Sequence, residues 1–118
     1  MKPLLNTILL LGLLVTASNG FAQMFFEVET VEEAKLKVFA VEAEAEADLF
    51  VYFVYEKKDV TKVGYWMEVS TPQEAQILLI FVDDPAQADI KIWLVDAPEQ
   101  AGWRNESKKD VIKVPGLN

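Results

Sequence analysis

Cysteine and histidine are both absent from the 118 residues. Without cysteine, no disulfide staples the fold. Without histidine, the commonest general base and the commonest metal ligand are gone, and the best nucleophile left with cysteine. Serine–histidine–aspartate hydrolysis and zinc chemistry in its usual form are therefore excluded. Glycine is scarce too: its five residues are scattered and form no phosphate-cradling loop. Positive charge is outweighed, 11 Lys and Arg against 19 Asp and Glu, for a formal net charge of −8. That balance opposes nucleic acid and anionic membranes, which need a basic footprint, and suits a monomer or a basic protein partner.

Apolar residues are plentiful, at 52% of the chain. A small unstapled chain needs a dense core, and this composition supplies one. Residues 1–22 read as a secretory signal peptide: Lys2 begins it, Ile8 to Val15 is its apolar centre, and Gly20-Phe21-Ala22 is a small-x-small cleavage site before Gln23. The apolar run is too short for a spanning helix, and no cysteine follows it to carry a lipid. A retained membrane anchor is the alternative. The expectation is an exported chain, periplasmic or secreted, not inserted in a membrane after cleavage. It has one domain over residues 23–105 and a tail over 106–118.

A period runs through that domain. Ala34, Ala47, Ala75, Ala88 and Ala101 take equivalent places, with Val60 standing in the gap, at spacings of 13, 13, 15, 13 and 13. Valines 28, 41, 54, 69, 82 and 95 mark the unit ends. An offset of 41 maps Val28 onto Val69, Leu36 onto Ile77 and Val54 onto Val95. The chain is thus six units of ~13 residues in two pseudo-symmetric halves, with a two-residue insertion in the third unit.

Each unit opens on a helical turn and continues as a strand. Thr30-Val31-Glu32-Glu33 and Thr71-Pro72-Gln73-Glu74 fit the capping box, whose side chains satisfy free N–H groups. Pro72, Pro85 and Pro98 recur where a first helical residue needs no N–H. Strands of about seven residues follow, with period-two apolar patterning. Leu36-Val38-Ala40, Leu49-Val51-Phe53, Ile77-Leu79-Phe81 and Ile90-Ile92-Leu94 each share a face. Lys37 and Lys91 interrupt the other face, which predicts that units one and five flank central units two and four. The run Ile77 to Val82 needs covering to avoid aggregation. The fold class is mainly β with short helical turns (α+β). Linkers this short cannot return the chain for a parallel neighbour, so successive strands run antiparallel or wander onward round the sheet. Neither a Rossmann fold nor a solenoid results.

The recurring Glu/Gln-Ala-Asp-Leu/Ile-x-Val/Ile-Tyr/Trp-x-Val unit, closing on Ala101-Gly102-Trp103-Arg104-Asn105, resembles the septknot-type family of small bacterial domains of unknown function. The match covers about Phe25 to Asn105. It departs at Lys57-Lys58-Asp59-Val60-Thr61-Lys62. The resemblance implies a deep seven-crossing torus knot and brings no activity with it. Beyond Asn105 a frayed end with a few ordered residues is expected, its alternation through Val111 and Lys113 offering at most a short edge strand.

Chemistry-bearing clusters are few. Asp83-Asp84 is the tightest carboxylate pair, but Asp84 precedes Pro85 as a helix cap would. Glu42, Glu44, Glu46 and Asp48 could hold calcium through oxygen, although no Asp-x-Asp-x-Asp-Gly spacing is present. The candidate binding residues are aromatic: Tyr65 and Trp66 close the first half, and Trp103, Arg104 and Asn105 close the second. Tryptophan and arginine are hot-spot residues. Against this stands a structural reading, with each tryptophan a plug for its own half. No catalytic residue, metal site or cofactor is expected. The function expected is a non-enzymatic binding or structural module of high kinetic stability with an unidentified protein partner. Alternatives are a small carboxylate-dependent hydrolase and a calcium-binding module.

Overall fold

The computed structural model describes residues 21–113. The signal-peptide reading over residues 1–20 lies outside the described residues, as do residues 114–118. Seven strands form: β1 (Met24–Glu27), β2 (Leu36–Ala40), β3 (Leu49–Phe53), β4 (Tyr65–Glu68), β5 (Ile77–Phe81), β6 (Ile90–Leu94) and β7 (Gly102–Trp103). Their order is β4-β1-β5-β2-β6-β3-β7, and β3 also pairs with β4. The first six therefore close into a parallel barrel, with β7 antiparallel on β3. The strands are five residues long at most, shorter than their apolar patterning suggests.

Closure removes the distinction between central and flanking strands. β2, which carries Lys37, lies between β5 and β6, and β6, which carries Lys91, lies between β2 and β3. The two lysines mark the outer face of a ring and not its edge. In a barrel each strand has one face inward and one outward, so a lysine reports only the direction of its own side chain.

The interior follows the period-two pattern. Phe25, Leu36, Val38, Leu49, Val51, Trp66, Leu79, Ile90 and Ile92 fill it. Each fully buried aliphatic side chain contributes roughly 1.5–3 kcal/mol relative to its exposed state.

Parallel neighbours are possible with short linkers because the strands are staggered. Glu27 ends β1 opposite Leu79, and Leu79 stands opposite Leu36, which opens β2. The same holds at every regular step. Ala40 and Leu49 share Ile92 as partner, Glu68 and Ile77 share Phe25, and Phe81 and Ile90 share Val38. Each strand thus begins level with the end of the one before it. The chain need not return; it crosses sideways over one strand, roughly 10 Å at the usual strand spacing. Of the two outcomes expected of short linkers, the chain takes the second and winds onward. The longer third linker, residues 54–64, instead reaches an adjacent strand, with Tyr52 beside Tyr65.

Winding has a consequence for the halves. β1, β2 and β3 pair with β4, β5, β6 and β7, and with no strand of their own half. The halves interleave like the fingers of two hands.

The linkers cover what they cross. The Val31–Glu33 turn packs on β5, the Pro72–Glu74 turn on β1 and the Pro98–Gln100 turn on β3. The outer face of Ile77–Phe81 is partly covered by the Val31–Glu33 turn, and Leu78 and Ile80 on it are half-buried. All six turns are three-residue 3₁₀ helices. Thr30 caps its turn, accepting from the Glu33 N–H at 3.3 Å while its hydroxyl donates to the Glu33 carboxylate at 3.1 Å. The second half of that box differs from the expected form, since the carboxylate takes the hydroxyl and not the Thr30 N–H. Thr71 donates likewise to Glu74 at 3.1 Å without accepting from its turn. Asp84 accepts from the Ala86 N–H at 2.9 Å, as its place before Pro85 predicts.

The period now has a physical meaning. The six alanine or valine positions close their turns by donating to the residue three before, as Ala34 does to Val31 and Ala101 to Pro98. All six unit-end valines donate onward to the neighbouring strand, as Val28 does to Leu79 and Val95 to Val51. The repeat is a backbone hydrogen-bond schedule written in side chains.

The tail departs from expectation. Glu106–Ile112 is a seven-residue 3₁₀ helix capped by Asn105, and Ile112 is 0% exposed within the core. Lys113 bridges Phe21 antiparallel. A frayed end with at most a short edge strand was expected there; Val111 and Lys113 are exposed, and the residue between them is the buried one.

Candidate functional site at the barrel mouth

Both aromatic endings named as binding candidates line one strand. Gly102 and Trp103 lie beside Phe50 and Leu49, while Tyr65 and Trp66 lie beside Tyr52 and Phe53, all along β3. Gly64 makes this possible. Its φ of +93° favours glycine, and a Cβ there would stand 2.6 Å from the Phe50 carbonyl oxygen and 2.9 Å from the Gly102 nitrogen.

The side chains then diverge. Trp66 is 2% exposed and packs on Phe25 at 5.9 Å, inside the barrel. Trp103 is half-buried, edge-on to Phe21 at 5.8 Å. Arg104 is exposed, its guanidinium donating to the Ala47 carbonyl at 3.3 Å. Asn105 donates to the Asp48 carboxylate at 3.0 Å. Of the five, Tyr65 borders the open hollow beside Tyr52 and Tyr55. The other four occupy the interior or the seam that ties the end of the chain to β3.

Asp48 is the centre of that seam. It is 8% exposed, and its carboxylate accepts from the Lys91 N–H at 2.9 Å as well as from Asn105. Its carbonyl accepts from the N–H groups of Arg104 and Asn105, both at 2.9 Å, and its own N–H donates to Lys91 at 2.7 Å. Asp89 clamps Lys37 in the same reciprocal manner, and Gln76 clamps Met24. The recurring polar residue after alanine is therefore a strand-to-strand clamp. This also separates Asp48 from the exposed Glu42, Glu44 and Glu46, and among the described residues no three carboxylates gather as a metal site requires.

The surface with chemical potential lies where parallel strands end. Phe25 meets Phe53 at 6.2 Å and Phe81 at 6.5 Å, forming the floor of a hollow of about 190 Å³. Glu27 and Glu68, which close β1 and β4, stand exposed at its edge. Phe53, Val54 and Tyr55 lead from it into a second, open depression of about 480 Å³. That one is lined by Tyr52, Tyr55, Glu56, Asp59, Thr61 and Tyr65, with the Tyr52 and Tyr65 rings 5.8 Å apart. Tyr55 is 84% exposed, and Lys62 sits 5.7 Å above the Tyr65 ring. Aromatic faces beside carboxylates attract cations. Sequence reading reached Tyr65 and missed its partners. The signal was the third unit itself, whose inserted residues depart from the repeat and build one wall.

Fold and site together define a closed, six-stranded parallel barrel wound from two interleaved halves, with an aromatic, acidic mouth. The family model described as the 7(1) septoil knot domain, Septknot, matches residues 22–104. The chain belongs to that family. Comparison with curated proteins and with solved structures finds no match.

Proposed function

We propose that this chain is a non-enzymatic, exported binding module, monomeric and kinetically stable, that takes cationic peptide side chains at the mouth of its barrel. The observation that carries the reading is the mouth. The phenyl floor of Phe25, Phe53 and Phe81 accommodates the aliphatic stem of lysine or arginine, and Glu27 and Glu68 stand where its charge would emerge. Tyr52, Tyr55 and Tyr65 extend the same chemistry alongside Glu56 and Asp59. The formal charge of −8 steers a basic partner towards it.

The barrel is threaded, on this reading, as a deep seven-crossing torus knot. Support comes from the description of the family and from the interleaving of the halves. A threaded chain loses its native contacts slowly, which suits a module exposed to proteases outside the cell.

The test is a titration of the folded, isotope-labelled chain with tri-arginine amide, followed by amide chemical shifts. Saturable shifts at Phe53–Glu56 and Tyr65–Glu68 are expected, weakened at least threefold by Tyr55→Ala and by raised salt. Tri-glutamate should leave the spectrum unmoved. Shifts spread evenly over the surface, or equal response to both peptides, would sink the reading.

A further inference from the structure

We propose that the mouth selects a peptide segment in which a basic side chain has a large apolar side chain beside it. This rests on the cation reading above and adds a second contact, made by the apolar arc of the barrel rim.

The rim follows from strand register. Phe53 pairs with Trp66, two places before the end of β4, and Glu68 pairs with Phe25, two places before the end of β1. The same step of two recurs from Glu27 to Phe81, Phe81 to Ala40, Ala40 to Leu94 and Leu94 to Phe53. Six equal steps return to their starting strand, so the last residues of β1 to β6 form one closed ring. Each lies two places beyond a core residue, as Glu27 lies beyond Phe25, and shares its inward face. Round the barrel the ring runs Glu68, Glu27, Phe81, Ala40, Leu94, Phe53.

Charge sits on one arc of that ring. Glu68 and Glu27 end neighbouring strands, and both are exposed, with no ion pair to either among the described residues. Phe81 and Phe53 flank them and meet Phe25 beneath, at 6.5 and 6.2 Å. Opposite the carboxylates stand Ala40 and Leu94, and Leu94 is 47% exposed on an inward-facing position. A ligand that is only a cation leaves this leucine in water. In an extended segment, side chains two residues apart share a face and stand about 7 Å apart. A basic residue and an apolar one so placed reach both arcs: the base meets Glu27 and Glu68, and its companion crosses the phenyl rings towards Leu94. A second copy set mouth to mouth would face glutamates with glutamates, which disfavours it.

The experiment titrates the folded, isotope-labelled chain with three N-acetylated peptide amides, Arg-Gly-Leu, Arg-Gly-Gly and Gly-Gly-Leu, followed by amide chemical shifts. Arg-Gly-Leu is expected to bind at least about threefold tighter than Arg-Gly-Gly, since part of its leucine leaves water. Its shifts should extend from Glu27 and Glu68 to Ala40 and Leu94. Leu94→Ser should bring the two basic peptides close to equal affinity. Equal binding of both to the unaltered chain, or a preference that survives Leu94→Ser, overturns the apolar contact while the cation reading stands. Saturable binding by neither basic peptide, or Gly-Gly-Leu binding as tightly as Arg-Gly-Leu, overturns both. Rim shifts that follow the chain's own concentration without peptide would give the arc to a second copy and overturn the inference.

Discussion

At the scale of the residue, a short polar side chain after alanine does the joining. Asp48 draws together β3, β6 and the chain end, whereas Asp89 accepts from Lys37. Replacing Asp48 with alanine leaves the Lys91 N–H and the Asn105 amide without their acceptor, at a cost of about 2–3 kcal/mol. Asp89→Ala loses a smaller set of bonds and should cost about 1 kcal/mol. Urea unfolding of both variants checks the ranking; equal losses, or a larger loss at Asp89, would show that the seam is not where β7 is held. The sequence displays these residues openly as a repeated motif. It does not display their role, because a buried aspartate that clamps a strand and a solvated one in a turn have the same neighbours along the chain. Tyr65 and Trp66 teach the related point. Adjacent residues of a strand face opposite sides, so one borders the surface hollow and the other fills the barrel.

At the scale of the element, the turns and strand faces were legible and the strand order was not. Proline and threonine at fixed places announce the 3₁₀ turns, and alternating apolar residues announce the inner face. Pairing depends on stagger. The repeat offset is 41, yet Leu36 pairs with Leu79 and Leu49 with Ile92, 43 residues on. Nothing in side-chain pattern records that two-residue step, because a shift of two keeps every residue on its own face. The step is what lets short linkers join parallel strands. The order of the tail was not legible for a local reason: a single buried residue, Ile112, decides its packing, and a frayed end with a few ordered residues was expected. Ile112→Ala should therefore destabilise the whole domain by about 2–5 kcal/mol, as a core truncation does. Thermal unfolding checks this, and a change below about 0.5 kcal/mol would place the final helix outside the cooperative unit.

At the scale of the molecule, every strand pairing of the barrel but β3 with β4 joins residues 43 or 52 positions apart. Such non-local contacts close long loops before they return any stabilisation, so folding is slow. Refolding from urea is expected over seconds or longer, with slower unfolding still; a millisecond phase carrying the full amplitude would contradict both the topology and the threading proposed for it. The mouth follows from the same arrangement. Parallel strands deliver their ends to one side, and there the aromatic and acidic residues of both halves meet.

The interleaving of the halves is the central claim, and division of the chain in the third linker tests it most directly. Residues 21–60 hold β1 to β3 and residues 61–113 hold β4 to β7, and no two of the first three strands pair with each other. Circular dichroism with urea unfolding of each fragment alone should show no cooperative transition. If residues 21–60 alone unfold cooperatively with strand-like dichroism, the first half possesses a sheet of its own, and the interleaved barrel is wrong.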